Sequence, residues 1–385
     1  MNDIPKAFRN DAYAKVTGKA KYTDDYTLPQ MLHAVPLHAP VASAWLKAID
    51  YSAALKLKGV VAVYTALDIP GSIKFGQIIK DYPTLVHERI RTTGDVLALV
   101  VAESREIALS ALPLIKVDYE ATEGIFDPET ALLPQTPLLH PEHGSNVCNY
   151  HCVRTGDIAK GEQEADLIIE QEFHTSRVEH AYLEPESALC LLRPDGVMEV
   201  LGSMQHPFST RRFVASALGF QLKDVEVKTV PMGGGFGGKD DTAALVCARA
   251  ALCALLTGRP VKLTYTREMS MRESYKRHPY KLQYRMGLSK SGKIVSVKVR
   301  MVADGGAYCS VTPWVTWRST VQCCGCYEVP HVHCDVYGVY TNNVFSGAFR
   351  GFGSPQVNFS IEQLVEIAAE KLKMDESEFR RINMV

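Results

Sequence analysis

The chain has 385 residues, 46% of them hydrophobic and 22% charged, with a formal net charge of −1 at pH 7. Those proportions describe a globular protein of two or three domains. The near-neutral balance gives no support for binding nucleic acid or an anionic membrane surface. The start, Met1 to Lys6, is polar and lacks the apolar core of a signal peptide. No apolar run reaches membrane-spanning length, and the most apolar helical stretch carries Arg249. A cytoplasmic location is therefore expected. Ten cysteines at irregular spacings predict reduced thiols rather than a disulfide framework. Cys323, Cys324 and Cys326 fit no ferredoxin spacing, so any iron–sulfur carrier is expected on another chain.

Residues 1–125 read as mixed α/β. Lys15–Tyr22 predicts a strand with a glycine bend, and Gly59–Thr65 predicts another. Val96–Ala102 is continuously apolar, as in a strand covered on both faces. Ser104 can cap a helix over 105–112, which Pro113 stops, and 115–119 alternates as a half-buried strand. Residues 126–158 hold four prolines and no clear period, which predicts a linker. His140, His143, Cys148, His151 and Cys152 also fall there. Their spacing matches no zinc finger, so a packed linker is expected instead of a metal site.

From about residue 159 a second domain is predicted, with strands at 165–174, 188–193 and 198–203. His180 and Glu184 stand four apart, but Pro185 interrupts a regular helix there, which favours structural hydrogen bonding over metal ligation. Gln205 ends a strand just before a helix over 208–218 that Gly219 closes. Alternating strands are expected at 280–286 and 293–303, and a short helix over 314–324 carries Arg318. That arginine reads as either a stacked structural cation or an anion anchor. Cys323, Cys324, Cys326, His331, His333 and Cys334 form a second cluster, for which core packing is expected.

Two glycine-rich loops stand out. The first, Pro231–Asp241, places five glycines around Phe236 between a predicted strand at 224–230 and a predicted helix at 242–256. Glycine lets a ligand reach the main chain, and free N–H groups at a helix start suit an anion. The loop fits two nucleotide patterns imperfectly. As a P-loop it has Asp240 where Ser or Thr should hold magnesium. As a dinucleotide fingerprint it lacks the acidic residue about 20 positions on. In the second loop, Ser346–Gln356, Arg350 lies between glycines just before a helix with Ser354 and Pro355 at its start. The next residues put Val357, Ile361, Leu364, Ala368 and Leu372 on one face. Two such loops suit a large anionic cofactor better than a single phosphate.

Gly-Gly-Gly-Phe-Gly-Gly-Lys at 233–239 and Ala-Phe-Arg-Gly-Phe-Gly at 348–353 together resemble the molybdopterin-binding part of the xanthine dehydrogenase and aldehyde oxidase family. Val16–Asp25, Glu179-His180, Leu183-Glu184-Pro185 and Gln205 followed by Pro207 support the resemblance, which runs from about residue 12 to the end. It implies an α+β protein: an N-terminal α/β hammerhead domain (1–125), a linker (126–158) and the first part of a mixed α/β molybdopterin-binding domain (159–385). It further implies a molybdenum–pterin cofactor with no protein side chain on the metal. Gln205, Gly235, Phe236, Gly237 and Arg350 would hold the cofactor, through backbone N–H groups at Phe236, Gly237 and Arg350. Asp240 and Arg318 would line the substrate pocket, and Phe352 would stack on a flat aromatic substrate. Asp240 stands where the family usually has glutamate.

The family's reaction is hydroxylation with water as the oxygen source. Its base glutamate lies in the C-terminal half of the molybdenum domain, so no catalytic base is assigned within this chain. The expected partners are a second molybdopterin subunit or C-terminal half, an iron–sulfur subunit, an FAD subunit and a small aromatic heterocycle such as a purine. The alternatives are a nucleotide-binding protein using the Gly233–Lys239 loop, or an inactive module of the same fold.

Overall fold

The computed structural model describes residues 9–385; residues 1–8 of the expected first domain lie outside the described residues. The run Val96–Ala102 is a strand in which every residue is buried. Fully burying one such valine or leucine stabilises a fold by about 1.5–3 kcal/mol, so this strand belongs in the middle of a sheet. It pairs antiparallel with Leu32–His38 on one side and Val60–Thr65 on the other.

Leu32–His38 in turn pairs parallel with Val261–Thr264, in the register Leu32 to Val261. The strands Ser187–Leu192, Met198–Gly202 and Val225–Thr229 complete a seven-stranded sheet. Residue 125 therefore does not separate two sheets: strands from both sides of it share one hydrogen-bonded ladder. Helix Asp241–Thr257 lies against this sheet, and its Val246, Ala250 and Leu252 share a core with Leu32, Val101 and Leu263.

A second sheet has five strands in the order Leu167–Thr175, Tyr280–Leu288, Ile294–Gly306, His331–Tyr340 and Val147–Thr155. In Tyr280–Leu288 buried and half-buried residues alternate until the last turn closes over the core, as a strand with one covered face requires. Helix Ser354–Leu372 covers that face with Val357, Ile361, Leu364 and Ala368. Cys323 and Cys334 are packed into the same core with Cys324 against it, but Cys326 is exposed, so core packing holds for only part of the second cluster.

Three expectations change. Val147–Thr155, placed in the linker, is an edge strand paired antiparallel with His331–Tyr340. Lys15–Tyr22 forms no strand. Ala12–Val16 is a short helix, and the Lys19 and Ala20 N–H groups turn back to the Ala14 carbonyl, which leaves no ladder to extend. The helix at 354 has Gly353, at φ +93°, as its N-cap, so Ser354 is already inside it. No helix among the described residues is long and apolar enough to cross a membrane.

Candidate cofactor site

The first glycine loop leaves the edge strand Val225–Thr229 and ends at the start of helix Asp241–Thr257. Phe236 adopts φ +54° between Gly234 at +107° and Gly237 at +104°. A non-glycine residue in this region is strained by its Cβ and is held there only by its surroundings. Glu184 is one such support. Its Oε2 accepts from the Gly233 N–H at 2.7 Å, the Ser203 hydroxyl at 2.7 Å and Lys239 Nζ at 2.8 Å. Lys239 is fully buried under the loop, and its Nζ lies 4.8 Å from the Tyr182 ring centroid. Its charge is spent on Glu184, so the nucleotide alternative loses the lysine it would need to reach a phosphate.

His180 ties the first loop to the second. Its Nε2–H donates to the Ala348 carbonyl at 2.8 Å, and its ring stacks on Phe349 at 4.1 Å. Burial pushes its pKa down to about 4, so the ring is neutral at pH 7. His180 and Glu184 thus hold structure by hydrogen bonds. A Cβ on Gly237 would stand 2.5 Å from the Ala348 oxygen, so only glycine lets the second loop come this close. The Arg350 N–H donates to the Phe236 carbonyl at 2.8 Å, closing the two loops on each other.

The loops enclose a cavity of about 720 Å³ whose wall includes Gln205, Phe236, Gly237, Asp240, Arg350 and Phe352. Six positions from three separate stretches of sequence therefore meet in one place. Gly235 stands behind them: a Cβ there would lie 2.7 Å from Gln205 Oε1. Arg318 is not brought to the cavity. It is exposed on helix Thr312–Val321, whose Trp314, one turn earlier, lines the wall instead.

The polar groups of the wall are only partly satisfied. Gln205 Oε1 accepts from the Gly237 N–H at 2.9 Å and the Lys239 N–H at 3.3 Å. That orientation fixes the carboxamide NH2 as the free end, and among the described residues it has no protein partner. Asp240 Oδ1 is buried without a hydrogen bond, with His206 Nε2 3.6 Å away. Burial, and then the charge of neighbouring Asp241, raises the Asp240 carboxyl to about 7. Two of the expected backbone donors are already engaged, Gly237 on Gln205 and Arg350 on Phe236.

Buried polar atoms normally find partners, so an orphaned carboxyl oxygen and a free carboxamide in one cavity mark a place for a polar ligand. The cavity is large enough for a pterin, and Gln205 offers a donor at its wall. The residues present therefore fit such a group.

Sequence reasoning missed His206, Ser209, Arg212 and Gln77, which also line the cavity. Ser209 and Arg212 follow His206 at three-residue steps on helix Pro207–Leu218, a helical face that the periodicity carries. Gln77 comes from the N-terminal part of the chain, and no local signal marks it.

Such a cradle, built from two glycine loops over an α+β scaffold, defines a protein that holds a large polar cofactor. Residues 139–384 match the family model of the molybdopterin cofactor-binding domain, and residues 17–123 match that of the aldehyde oxidase and xanthine dehydrogenase a/b hammerhead domain. The chain belongs to this family of molybdopterin oxidoreductases.

It is 38% identical over 373 residues to the nicotinate dehydrogenase large molybdopterin subunit of Eubacterium barkeri, covering 97% of this chain and 87% of that protein. It is 36% identical over 380 residues to a probable xanthine dehydrogenase subunit of Bacillus subtilis (strain 168), covering 99% of this chain and 50% of that one. The structure of the aldehyde oxidoreductase from Desulfovibrio gigas superposes with a TM-score of 0.92 at 30% identity, over 98% of this chain and 43% of that one. The chain thus spans most of the first relative and half or less of the other two.

Proposed function

We propose that this chain is the molybdenum–pterin-binding subunit of an enzyme that oxidises an N-heterocycle, purine-like as in xanthine, with water as the oxygen source. Electrons would pass to iron–sulfur and FAD subunits on partner chains. The observation that carries the reading is the convergence of Gln205, Asp240, Arg350 and Phe352 on one cavity closed by the Arg350–Phe236 hydrogen bond. The nicotinate and xanthine dehydrogenases among the relatives support a heterocycle over an aldehyde. When bound, the molybdenum–pterin group supplies the two-electron oxidation and activates the water.

The chain's own residues would do the positioning. The Gln205 carboxamide donates a hydrogen bond to the cofactor. Phe352, held at φ +51°, presents its ring to a flat substrate. Asp240, poised near neutrality, accepts from a ring N–H when ionised or donates to a ring nitrogen when protonated. Half-exposed Trp317 and Val321, with exposed Arg318 between them, give helix Thr312–Val321 an outer face suited to a partner chain. Ten free cysteines support a reducing, cytoplasmic setting. The division into a hammerhead domain over 1–125 and a cofactor domain over 159–385 belongs to the same reading, with Val147–Thr155 counted to the cofactor domain's sheet and not to a connection.

The test is co-expression with the neighbouring reading frames, followed by metal analysis and turnover assays on xanthine, nicotinate and an aldehyde. The expected result is molybdenum bound near one per chain and faster turnover of a heterocycle. Asp240→Ala should lower heterocycle kcat/KM by roughly tenfold or more, the worth of one charged hydrogen bond. Metal-free protein, or an aldehyde preference untouched by Asp240→Ala, would sink the reading; a folded, metal-loaded but inactive complex would favour the assembly-module alternative.

A further inference from the structure

Away from the glycine loops, the fold brings together Asp81, His140 and His143. One ligand-capable atom from each lies within 4.8 Å of the others. Asp81 is 2% exposed and His140 is fully buried. Each of these two has one polar atom engaged and one left over. Asp81 Oδ2 accepts from the Cys309 N–H at 2.8 Å and the Tyr340 hydroxyl at 2.7 Å, while Oδ1 has no partner. His140 Nε2 pairs with the Ala307 carbonyl at 2.7 Å, while Nδ1 has none.

A carbonyl only accepts, so Nε2 carries the proton and Nδ1 keeps its lone pair. This is how metal-ligating histidines are held: the far ring nitrogen donates to a carbonyl, which fixes the tautomer and the ring orientation. The carboxylate is oriented in the same way, by two donors on its other oxygen. Two buried acceptors left without donors are costly unless a cation or proton stands between them.

We infer that Asp81, His140 and His143 bind one divalent transition-metal ion of the zinc type, at a site separate from the glycine-loop cavity. Two imidazoles and a carboxylate are a donor set that suits zinc. Metal–ligand bonds of about 2.0–2.2 Å put tetrahedral ligand atoms roughly 3.4 Å apart, so a small closure suffices. His143 is exposed and free to make it. A water fills the fourth position, or Glu142, whose Oε1 lies 3.7 Å from His140 Nδ1 and 3.0 Å from Lys74 Nζ.

An adjoining cavity of about 780 Å³, with Asp81, Pro141 and Glu142 in its wall, opens a path for the ion. Arg91 and Lys74 share that wall and weaken cation binding, which makes the site one of moderate affinity. The groups that orient the ligands belong to the five-stranded sheet and the segment after its strand Ile294–Gly306. The metal therefore clamps the Asp81 loop and the 140–143 turn onto that sheet.

The test is to strip the purified full chain with a chelator and titrate it with Co2+ and then Zn2+. The expected result is uptake of one Co2+ with the visible bands of four-coordination and no thiolate charge-transfer band, its displacement by Zn2+, and a higher Tm with zinc. His143→Ala, on an exposed side chain, and Asp81→Asn, which keeps the shape, should each weaken binding roughly tenfold or more. The inference is overturned if the wild-type chain takes up no stoichiometric metal, or if a thiolate band shows that cysteines hold it. It is equally overturned if a folded His143→Ala chain binds as tightly as wild type; that variant decides the matter even where Asp81→Asn fails to fold.

Discussion

Helix Asp241–Thr257 carries two buried polar clusters, one at its start and one about two turns on, and they are built in opposite ways. Further along the helix, Arg249 is fully buried. Its Nε donates to the Thr84 carbonyl at 2.8 Å and its Nη1 to the Tyr265 hydroxyl at 2.7 Å and to Glu273. Glu273 Oε2 is also met by Tyr265 at 2.6 Å and His38 at 3.1 Å. Burial alone would raise that carboxyl, but Arg249 and the hydrogen bonds of His38 and Tyr265 hold it at about 2. Nearly every polar atom is answered from inside the chain, Arg249 Nη2 excepted.

At the helix start, Asp240 has a like charge beside it, an oxygen without a hydrogen bond and a carboxyl raised to about 7. The Arg249 cluster is closed and serves the fold. The Asp240 cluster is left open at the cost of stability, which is what a site reserved for a ligand looks like.

The contrast breaks most sharply at Arg249. Arg249→Met strands Glu273 as an unpaired buried charge and should cost about 3–5 kcal/mol, read as a lowered urea midpoint. A loss under about 1 kcal/mol would mean the cluster is not closed as described.

Lys239→Met removes a buried cation from Glu184. The carboxylate keeps the Gly233 and Ser203 donors, so a smaller loss of about 2–3 kcal/mol is expected. Cofactor content should fall with it, because Glu184 anchors the glycine loop; metal analysis checks this.

Asp240→Asn should act in the other direction. The ordinary carboxyl value is 3.8 and the folded value about 7, so between them the folded chain holds a proton that the unfolded chain has released. Stability from this group therefore falls as pH rises from about 4 to 7 and then levels. Asparagine cannot ionise, so the cofactor-free variant should lose that slope and gain about 1–2 kcal/mol above pH 7, against a ceiling of about 4 kcal/mol set by the size of the shift. Thermal melts across that range measure it.

The smallest effect is expected at Arg318. Arg318→Met should change stability by less than about 0.5 kcal/mol, as for an exposed side chain, and leave the ratio of purine to aldehyde turnover unchanged. A selective loss of purine turnover would return Arg318 to the substrate.

Much of this was legible locally. Val96–Ala102 reads as a covered strand because every side chain in it is apolar, and the Ser354–Leu372 face reads from its three- and four-residue steps. The two glycine loops announce close backbone approach, and Gly237 against Ala348 is such an approach. Arg318 and Trp314 show where local reading stops. They share a helix and a face, yet only the first turn of that helix reaches the cavity.

What the amino-acid order determines by itself is the part of the protein governed by neighbouring residues: strands, helices, caps, and the turn chemistry of the Gly233–Gly238 and Gly347–Gly353 loops. Tertiary structure alone decided that consecutive residues Lys239 and Asp240 meet opposite fates, one sealed against Glu184 and the other facing the cavity. It alone joined Leu32–His38 to Val261–Thr264, carried Gln77 to the cofactor cavity and set Asp81 beside His140. Backbone sterics and helical spacing act over a few residues, whereas a cavity is made where surfaces from distant segments meet, and no short window of sequence contains both walls.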